Sequence, residues 1–146
     1  MDRIRKIDFN DLPSLETLEK LIFKDNWSKK IIENQIKNCD SINLLVTKNK
    51  KIVAYMFSHK YEDFIEIERI GVVMEERRNN LAEKLLKKTE NIANECGIKK
   101  LLLEVRESNI SAINLYKKLN YKKDSIRKGY YKIDKENALL MSKKLD

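Results

Sequence analysis

The chain has 146 residues, of which 42% are hydrophobic and 37% are charged, and 31 basic against 23 acidic residues give a formal net charge of +8 at pH 7. This length and apolar content indicate a single folded domain over residues 1–146, and the 3 glycines and one proline exclude collagen-like and low-complexity architectures. No apolar run approaches the roughly 18 residues of a membrane span, and the first residues lack the apolar core of a secretion signal, so we expect a cytoplasmic protein.

The residues that usually bind metals are scarce. The two cysteines, Cys39 and Cys96, stand too far apart for a metal-binding pair. We expect both to be reduced, with Cys96 a small core residue at the end of a helix. His59 is the only histidine, which argues against a Ser-His-Asp triad, and we predict no metal site. Because the lysines are scattered among acidic residues, we expect no direct nucleic-acid partner.

The first third of the sequence predicts a strand, two helices and a hairpin. Pro13 in a first turn, followed by leucines at helical spacing, predicts a helix that ends near Ile22. Ser28 can cap a second helix that reaches Asn38, and Trp27 and Ile32 have the spacing of a hydrophobic staple. The predicted strands are 4–9, 42–47 and 52–58, and the last two form a hairpin.

The apolar pattern slips in the middle of the next strand, residues 64–73. Ile65 and Ile67 alternate, but the pattern restarts one residue out of step at Ile70, around the pair Glu68-Arg69. One extra residue in a strand turns the later side chains to the other face, so the slip predicts a β-bulge there. A strand that is buried on both faces is the alternative interpretation.

The rest of the chain predicts two helices and three strands. A long helix begins at Leu81 and is closed by Gly97, as a left-handed cap would close it. A buried strand 100–105 follows, then a helix that opens at Ser108 or Asn109, then strands 121–127 and 138–143. Together these elements predict an α+β fold with about seven strands in a mixed sheet, about four helices, and a parallel strand–helix–strand crossover in the middle.

A polar loop with two arginines precedes the long helix. The first turn of a helix presents unpaired backbone N–H groups and a partial positive charge. Arg77 and Arg78 add full charges beside these groups, so the loop is suited to bind phosphate. Two solvated arginines at a helix start are the alternative.

This loop has a recognisable sequence form. Arg77-Arg78-Asn79-Asn80-Leu81-Ala82 resembles the Gln/Arg-x-x-Gly-x-Gly/Ala motif of the GNAT acetyltransferases, which cradles the pyrophosphate of acetyl-CoA. Arg77 fits the first position and Ala82 the last, whereas Asn80 stands where the family has glycine. Since asparagine tolerates a left-handed backbone better than most residues, we expect the turn to form.

The resemblance extends downstream. Residues 102–121, with Leu-Glu-Val-Arg-Glu-Ser-Asn and then Ala-Ile-Asn-Leu-Tyr, resemble the RimI-type branch of the GNAT family, as do Arg127-Lys-Gly-Tyr-Tyr131 and 136–141. That branch acetylates the N-terminal alanine of a small-subunit ribosomal protein. The resemblance therefore implies a GNAT acyl-CoA N-acyltransferase fold, acetyl-CoA as cosubstrate without a metal, and a ribosomal-protein N-terminus as acceptor.

The resemblance also implies roles for individual residues. Glu104 matches the general base that accepts the amine's proton, and Tyr116 matches the general acid for the departing thiolate. The residues implied to bind the cofactor are Ile70, Gly71, Val72, Arg77, Arg78, Asn79, Asn80, Leu81, Ala82, Glu83 and Asn109. Glu66 and Glu68 share a strand face on which a basic peptide can dock, and Tyr130 and Tyr131 would line the acceptor slot.

Each role has a structural alternative. Glu104 could instead form a salt bridge with Arg106 or a neighbouring lysine, Tyr116 could be a core aromatic, and Asn109 a plain helix cap. Two other functions also stay open. One is a GNAT enzyme that acts on a lysine or a small amine; the other is a non-catalytic binding module on the same fold, suggested by Asn80 and the net charge.

Overall fold

Strands and helices follow one another in the predicted α+β order. The computed structural model describes residues 2–146. Its strands are β1 (Asp2–Lys6), β2 (Ser41–Lys48), β3 (Lys51–Lys60), β4 (Ile65–Val72), β5 (Lys100–Arg106), β6 (Lys122–Arg127) and β7 (Ala138–Lys144). Its helices are α1 (Leu12–Ile22), α2 (Lys29–Lys37), α3 (Leu81–Glu95) and α4 (Ile110–Lys118), with 3₁₀ turns at Phe9–Asp11 and Met74–Glu76.

The strands form a seven-stranded sheet in the order β1-β2-β3-β4-β5-β7-β6. The pairs β1–β2, β2–β3, β5–β7 and β6–β7 are antiparallel. Strands β4 and β5 are parallel, with Ile65 to Ile67 opposite Leu101 to Leu103. The sheet is therefore mixed, as predicted, and β4–α3–β5 is the predicted parallel crossover.

The chain divides into two compact units. The first contains residues 2–60 and Glu68–Thr89, and the second contains Tyr61–Ile67 and Glu90–Asp146. The three boundaries fall directly after β3, within β4 and within α3. The expectation of one domain over residues 1–146 stays a prediction. None of the helices in residues 2–146 is long and apolar enough to cross a membrane.

Apolar side chains from α1, α2, β2 and β3 form the hydrophobic core of the first unit. Ser28 caps α2 by accepting a hydrogen bond from the Ile31 N–H at 3.2 Å, which confirms the predicted helix start. The ring of Trp27 stacks on Phe57 with centroids 5.0 Å apart. The buried members of this cluster are Ile7, Leu12, Leu15, Ile32, Leu45, Tyr55 and Phe57.

A carboxylate lies within this apolar unit. Glu19 of α1 is completely buried. Its oxygens accept hydrogen bonds from the Tyr55 hydroxyl at 2.6 Å and from the Trp27 N–H at 2.8 Å. The Arg69 guanidinium adds two more, at 3.2 and 2.8 Å. These bonds and the opposite charge compensate for removing the carboxylate from water.

Strand β4 carries a charged residue at a position with little exposure. Ile65, Ile67 and Gly71 are buried, and the side chain of Arg69, paired with the buried Glu19, is only 11% exposed. The parallel pairing with β5 joins Ile65–Ile67 to Leu101–Leu103, which lies before the slip in the apolar pattern. The β-bulge at Glu68-Arg69 stays a prediction.

The end of α3 confirms one prediction and corrects another. Gly97 has a φ of 74°, and the Ile98 N–H donates to the Ala93 carbonyl at 2.8 Å, which is the left-handed helix end that was predicted. Cys96 is exposed rather than buried. The apolar side of the helix passes from Ala93 directly to Ile98, and both are buried in the second unit.

Candidate active site

The turn between β4 and α3 has an unusual backbone. Arg78 has a φ of 71° and Asn80 a φ of 62°, which confirms the predicted left-handed asparagine. A left-handed residue other than glycine costs roughly 1–2 kcal/mol, and two of the six such residues in 2–146 lie where phosphate binding was predicted. Backbones that alternate in handedness turn successive N–H groups to one side and form concavities that bind anions.

The side chains around this turn divide into two groups. Asn79 donates to Glu76 at 2.9 Å, and Lys48 donates to the same carboxylate at 3.0 Å. These hydrogen bonds, the one from Lys48 more than the one from Asn79, hold the pKa of Glu76 below its usual range. The Nε of Arg77 donates to the Val72 carbonyl at 3.4 Å. The Arg78 guanidinium, by contrast, is exposed and has no ion-pair partner in residues 2–146.

The first turn of α3 follows directly. Leu81 is buried and anchors the helix start, while Ala82 and Glu83 are half-buried. The Glu83 carboxylate pairs with Lys87 at 3.3 Å. Because a carboxylate repels phosphate, we expect Leu81, Ala82 and Glu83 to contribute only their backbone N–H groups to an anion site.

Gly71 makes room for a side chain of the protein itself. A Cβ at this position would lie 2.6 Å from Cζ and 2.8 Å from the hydroxyl oxygen of Tyr55. The resemblance implies that Gly71 binds the cofactor, but the space where its side chain would lie is occupied by Tyr55. Ile70 and Val72 on either side are half-buried. Cofactor binding by Ile70–Val72 stays a prediction.

Gly71→Ala is expected to lower the free energy of unfolding by about 1–3 kcal/mol, because the added methyl group overpacks the site. Tyr55 cannot retreat easily, since its hydroxyl is hydrogen-bonded to buried Glu19 at 2.6 Å. Urea unfolding measures the loss. In a Tyr55→Leu background, Gly71→Ala should lower the free energy of unfolding much less. An equal decrease in both backgrounds would contradict this explanation.

The predicted base lies in the second unit, near the end of β5. The side chain of Glu104 is 21% exposed, and its Oε1 lies 3.4 Å from Nη1 of Arg127. The salt bridge considered from the sequence therefore exists, but with a different partner. Arg106 instead pairs with Asp134 at 2.9 Å and with Glu136 at 3.1 Å.

Tyr130 lies beside this carboxylate. Its side chain is partly exposed, and burial raises the pKa of Tyr130. The charge of Glu104 and a hydrogen bond with it raise that pKa further, as does the charge of Glu66, whereas Arg127 lowers it. The structure thus brings together three of the predicted residues, Glu66, Glu104 and Tyr130. Glu68 is exposed on β4, and its role in an acceptor slot stays a prediction.

Arg106 anchors the loop 128–137, which carries both tyrosines. Its guanidinium carbon lies 3.9 Å from the ring centroid of Tyr131. Glu136, the ion-pair partner of Arg106, also accepts a hydrogen bond from the Ser108 N–H at 2.7 Å. The rings of Tyr130 and Tyr131 meet edge to face, 5.2 Å apart. The sequence motif contained Arg106 and Arg127, but neither was assigned a role in the site.

Helix α4 carries two further predicted residues. Asn109 caps the helix by accepting a hydrogen bond from the Ala112 N–H at 3.2 Å, which was the structural alternative for this residue. Its contact with a cofactor stays a prediction. Tyr116 is buried 5.8 Å from the ring of Tyr121. Burial raises the pKa of Tyr116 to about 12, with a smaller contribution from Tyr131. Its hydroxyl therefore remains protonated at neutral pH.

The two units offer different chemistry. The first provides a turn rich in backbone N–H groups beside an exposed guanidinium, which suits anion binding. The second provides a carboxylate and phenols, which suit proton transfer. In the described part of the chain, residues 2–146, His, Cys, Asp and Glu side chains form no group of three that could hold a metal ion.

Known proteins resemble this chain along its length. The model of the acetyltransferase (GNAT) family matches residues 11–121. A "[Ribosomal protein bS18]-alanine N-acetyltransferase" of Escherichia coli K12 is 30% identical over 145 residues, which cover 97% of each chain. An "N-alpha-acetyltransferase" of Saccharolobus solfataricus is 28% identical over 155 residues, covering 97% of this chain and 92% of the relative.

Solved structures agree with these matches. The crystal structure of the ribosomal-protein-S18-alanine N-acetyltransferase from Escherichia coli superposes with a TM-score of 0.93 at 28% identity, covering 100% of this chain and 95% of that one. The crystal structure of NAA60 of Arabidopsis thaliana in complex with acetyl-CoA superposes with a TM-score of 0.90 at 17% identity, covering 99% of this chain and 98% of that one. At this identity the similarity supports the fold alone. The predicted fold is confirmed.

Proposed function

The chain belongs to the GNAT acetyltransferase family, and from this premise we propose that it acetylates the N-terminal alanine of a small-subunit ribosomal protein of the bS18 type in the cytoplasm. The observation that carries the proposal is the partly exposed Glu104 carboxylate beside Tyr130. The chain that contains this carboxylate matches, over 97% of its length, an enzyme named for this activity.

Acetyl-CoA fits the turn in the first unit. The backbone N–H groups that follow Arg78 and Asn80 are suited to the pyrophosphate, and the Arg78 guanidinium adds a positive charge. We propose that the N–H groups of Leu81–Glu83 complete this cradle, with Arg77 and Asn79 shaping the turn through their contacts with Val72 and Glu76. Bound acetyl-CoA supplies a thioester whose carbonyl carbon is the electrophile.

Arg78→Ala is expected to weaken acetyl-CoA binding by roughly 1.5–3 kcal/mol, the range for a lost hydrogen bond to a charged group. Isothermal titration calorimetry measures the change. Lys88→Ala, which removes an exposed cation from the body of α3, is the control and should bind acetyl-CoA normally. Unchanged binding by Arg78→Ala would place the pyrophosphate elsewhere.

In the proposed reaction, the acceptor amine must lose a proton as it attacks the thioester carbonyl. Glu104 accepts this proton, the carbon–sulfur bond breaks, and Tyr116 donates to the departing thiolate, so the acetyl group passes directly to nitrogen. An α-amino group has a pKa of about 7.7–8.0 against about 10.4 for lysine. A single carboxylate therefore serves an N-terminus at neutral pH better than it serves a lysine.

The acceptor class is tested with three peptides of one sequence. The first has a free N-terminal alanine, the second has that amine blocked, and both contain one internal lysine; the third lacks the lysine. After incubation with acetyl-CoA, tandem mass spectrometry locates the acetyl group. We expect it only on the free α-amine. Acetylation of the lysine, or no acetylation of any peptide, would contradict the proposed function.

A further inference from the structure

The proposed base already has a cation beside it. Arg127, the last residue of β6, places its Nη1 3.4 Å from Oε1 of Glu104. Its guanidinium carbon also lies 5.4 Å from the ring centroid of Tyr130. A positive group thus lies beside both a carboxylate and an aromatic ring, which is where an ammonium group would be attracted.

We propose that Arg127 is a resident cation of the acceptor site, which stands in for the ammonium group of the substrate and is displaced when the acceptor binds. This inference rests on the proposed function, since it takes Glu104 as the group that the acceptor amine approaches. It assigns to Arg127 a role in determining which amines bind, because each acceptor must compete with this guanidinium.

The contacts of Arg127 are weak enough to be exchanged. Its side chain is 53% exposed, and its approach to Glu104 is longer than a hydrogen bond of ordinary length. All six residues of β6 are exposed, so neighbouring side chains do not bury the arginine. Ion pairs between side chains of this exposure contribute little to stability, because water solvates the separated charges well.

Arg106, in the same unit, is held more firmly than Arg127. Its side chain is 24% exposed, and its Nη1 makes contacts of 2.9–3.1 Å with Asp134 and Glu136. The ring of Tyr131 covers its guanidinium at 3.9 Å. Arg106 is therefore held by two carboxylates and a ring, whereas Arg127 can leave without disturbing the loop that Arg106 anchors.

Electrostatic repulsion favours the displacement of Arg127. An ammonium group at Glu104 would lie within a few ångströms of the Arg127 guanidinium, and two like charges at that distance repel each other. Glu66 contributes a second negative charge near Tyr130, so the site keeps its attraction for a cation when Arg127 moves away. An acceptor that makes contacts beyond its ammonium group has an advantage over a small amine in this competition.

The test is the affinity of an octapeptide with a free N-terminal alanine, measured by calorimetry on the full chain with CoA present, so that no transfer occurs. We expect Arg127→Gln to lower the Kd of this peptide by about two- to fivefold, since the competing charge is gone. Arg127→Lys keeps the charge and should bind the peptide as the wild type does. The Kd for acetyl-CoA should be unchanged in both variants.

Two controls separate this effect from general electrostatics. Lys128→Gln removes the next exposed cation along the chain and should leave the peptide Kd unchanged. The same octapeptide, chosen without lysine and with an acetylated N-terminus, carries no ammonium group and should gain nothing from Arg127→Gln. A similar gain in either control would overturn the proposal, as would an unchanged or higher Kd for the free peptide with Arg127→Gln, or no measurable binding by any of these proteins.

The proposed function is judged separately, by transfer. Wild-type protein that binds the free peptide but acetylates no α-amine would contradict the proposed function and leave the competition by Arg127 intact. Conversely, a wild type that acetylates N-terminal alanine, together with an Arg127→Gln variant that binds the peptide no better, would retain the function and reject the role of Arg127.

Discussion

Glu104→Gln is expected to lower kcat for acetylation of an N-terminal alanine by about 10²–10⁴-fold, the usual contribution of a general base. Glutamine has nearly the same shape as glutamate but cannot accept the proton of the attacking amine. Because Glu104 lies near the end of β5, outside the Arg78–Asn80 turn, the Kd for acetyl-CoA should stay near the wild-type value. Steady-state kinetics and calorimetry measure the two quantities.

Glu107→Gln is the matched control for this variant. Glu107 is exposed just beyond β5, and its backbone N–H, which the substitution keeps, donates to the Asn137 carbonyl. The control should retain wild-type kcat. If Glu104→Gln also retained full activity, Glu104 would not be the base, and its contact with Arg127 would be a structural ion pair only.

Tyr116→Phe is expected to lower kcat by about 10²-fold, because the departing thiolate loses its proton donor. Burial raises the pKa of Tyr116 to about 12, so the hydroxyl carries its proton throughout the neutral range. Titration of this group should therefore cause no loss of activity between pH 7 and about 10. A kcat profile over that range, recorded for the wild type and the variant, measures both effects.

A neighbouring tyrosine supplies the control. The hydroxyl of Tyr121 is buried and has no hydrogen-bond partner among the described residues 2–146, and its ring lies 5.8 Å from that of Tyr116. Tyr121→Phe should leave kcat unchanged and raise the free energy of unfolding by about 1 kcal/mol, since an unsatisfied polar group is removed. Equal losses of activity in the two variants would contradict the specific role of the Tyr116 hydroxyl as proton donor.

Local signals predicted most of the fold. The capping of α2 by Ser28 and the end of α3 at Gly97 were predicted correctly. Helix ends depend on the types and backbone geometry of a few neighbouring residues, which can be recognised in the sequence. The left-handed Asn80 belongs to the same class. Each of these features can be read from a short segment without knowledge of its partners.

Long-range partners explain what the sequence could not predict. The inward position of Arg69 depends on Glu19, which lies fifty residues earlier in the chain. Burial of a charged strand residue cannot be predicted from its own segment, because the residue that compensates its charge lies elsewhere in the chain. Gly71 is a second example, since the ring that requires it, Tyr55, belongs to another strand.

The candidate site was predicted in part. Motifs located Glu104, Tyr130 and the turn around Arg78 because those segments are specific in sequence. They did not reveal that Arg127 lies against Glu104 while Arg106 holds the loop, since both arginines are equally plausible partners on charge alone. The distances between side chains decide between them.

The proposed binding of acetyl-CoA depends most on the turn before α3, and a crystal structure of the chain with acetyl-CoA tests it most directly. We expect the pyrophosphate oxygens within hydrogen-bond distance of the backbone N–H groups that follow Arg78, with positive φ retained at Arg78 and Asn80. A pyrophosphate bound elsewhere, or a turn filled by the protein's own side chains in the presence of saturating acetyl-CoA, would contradict it.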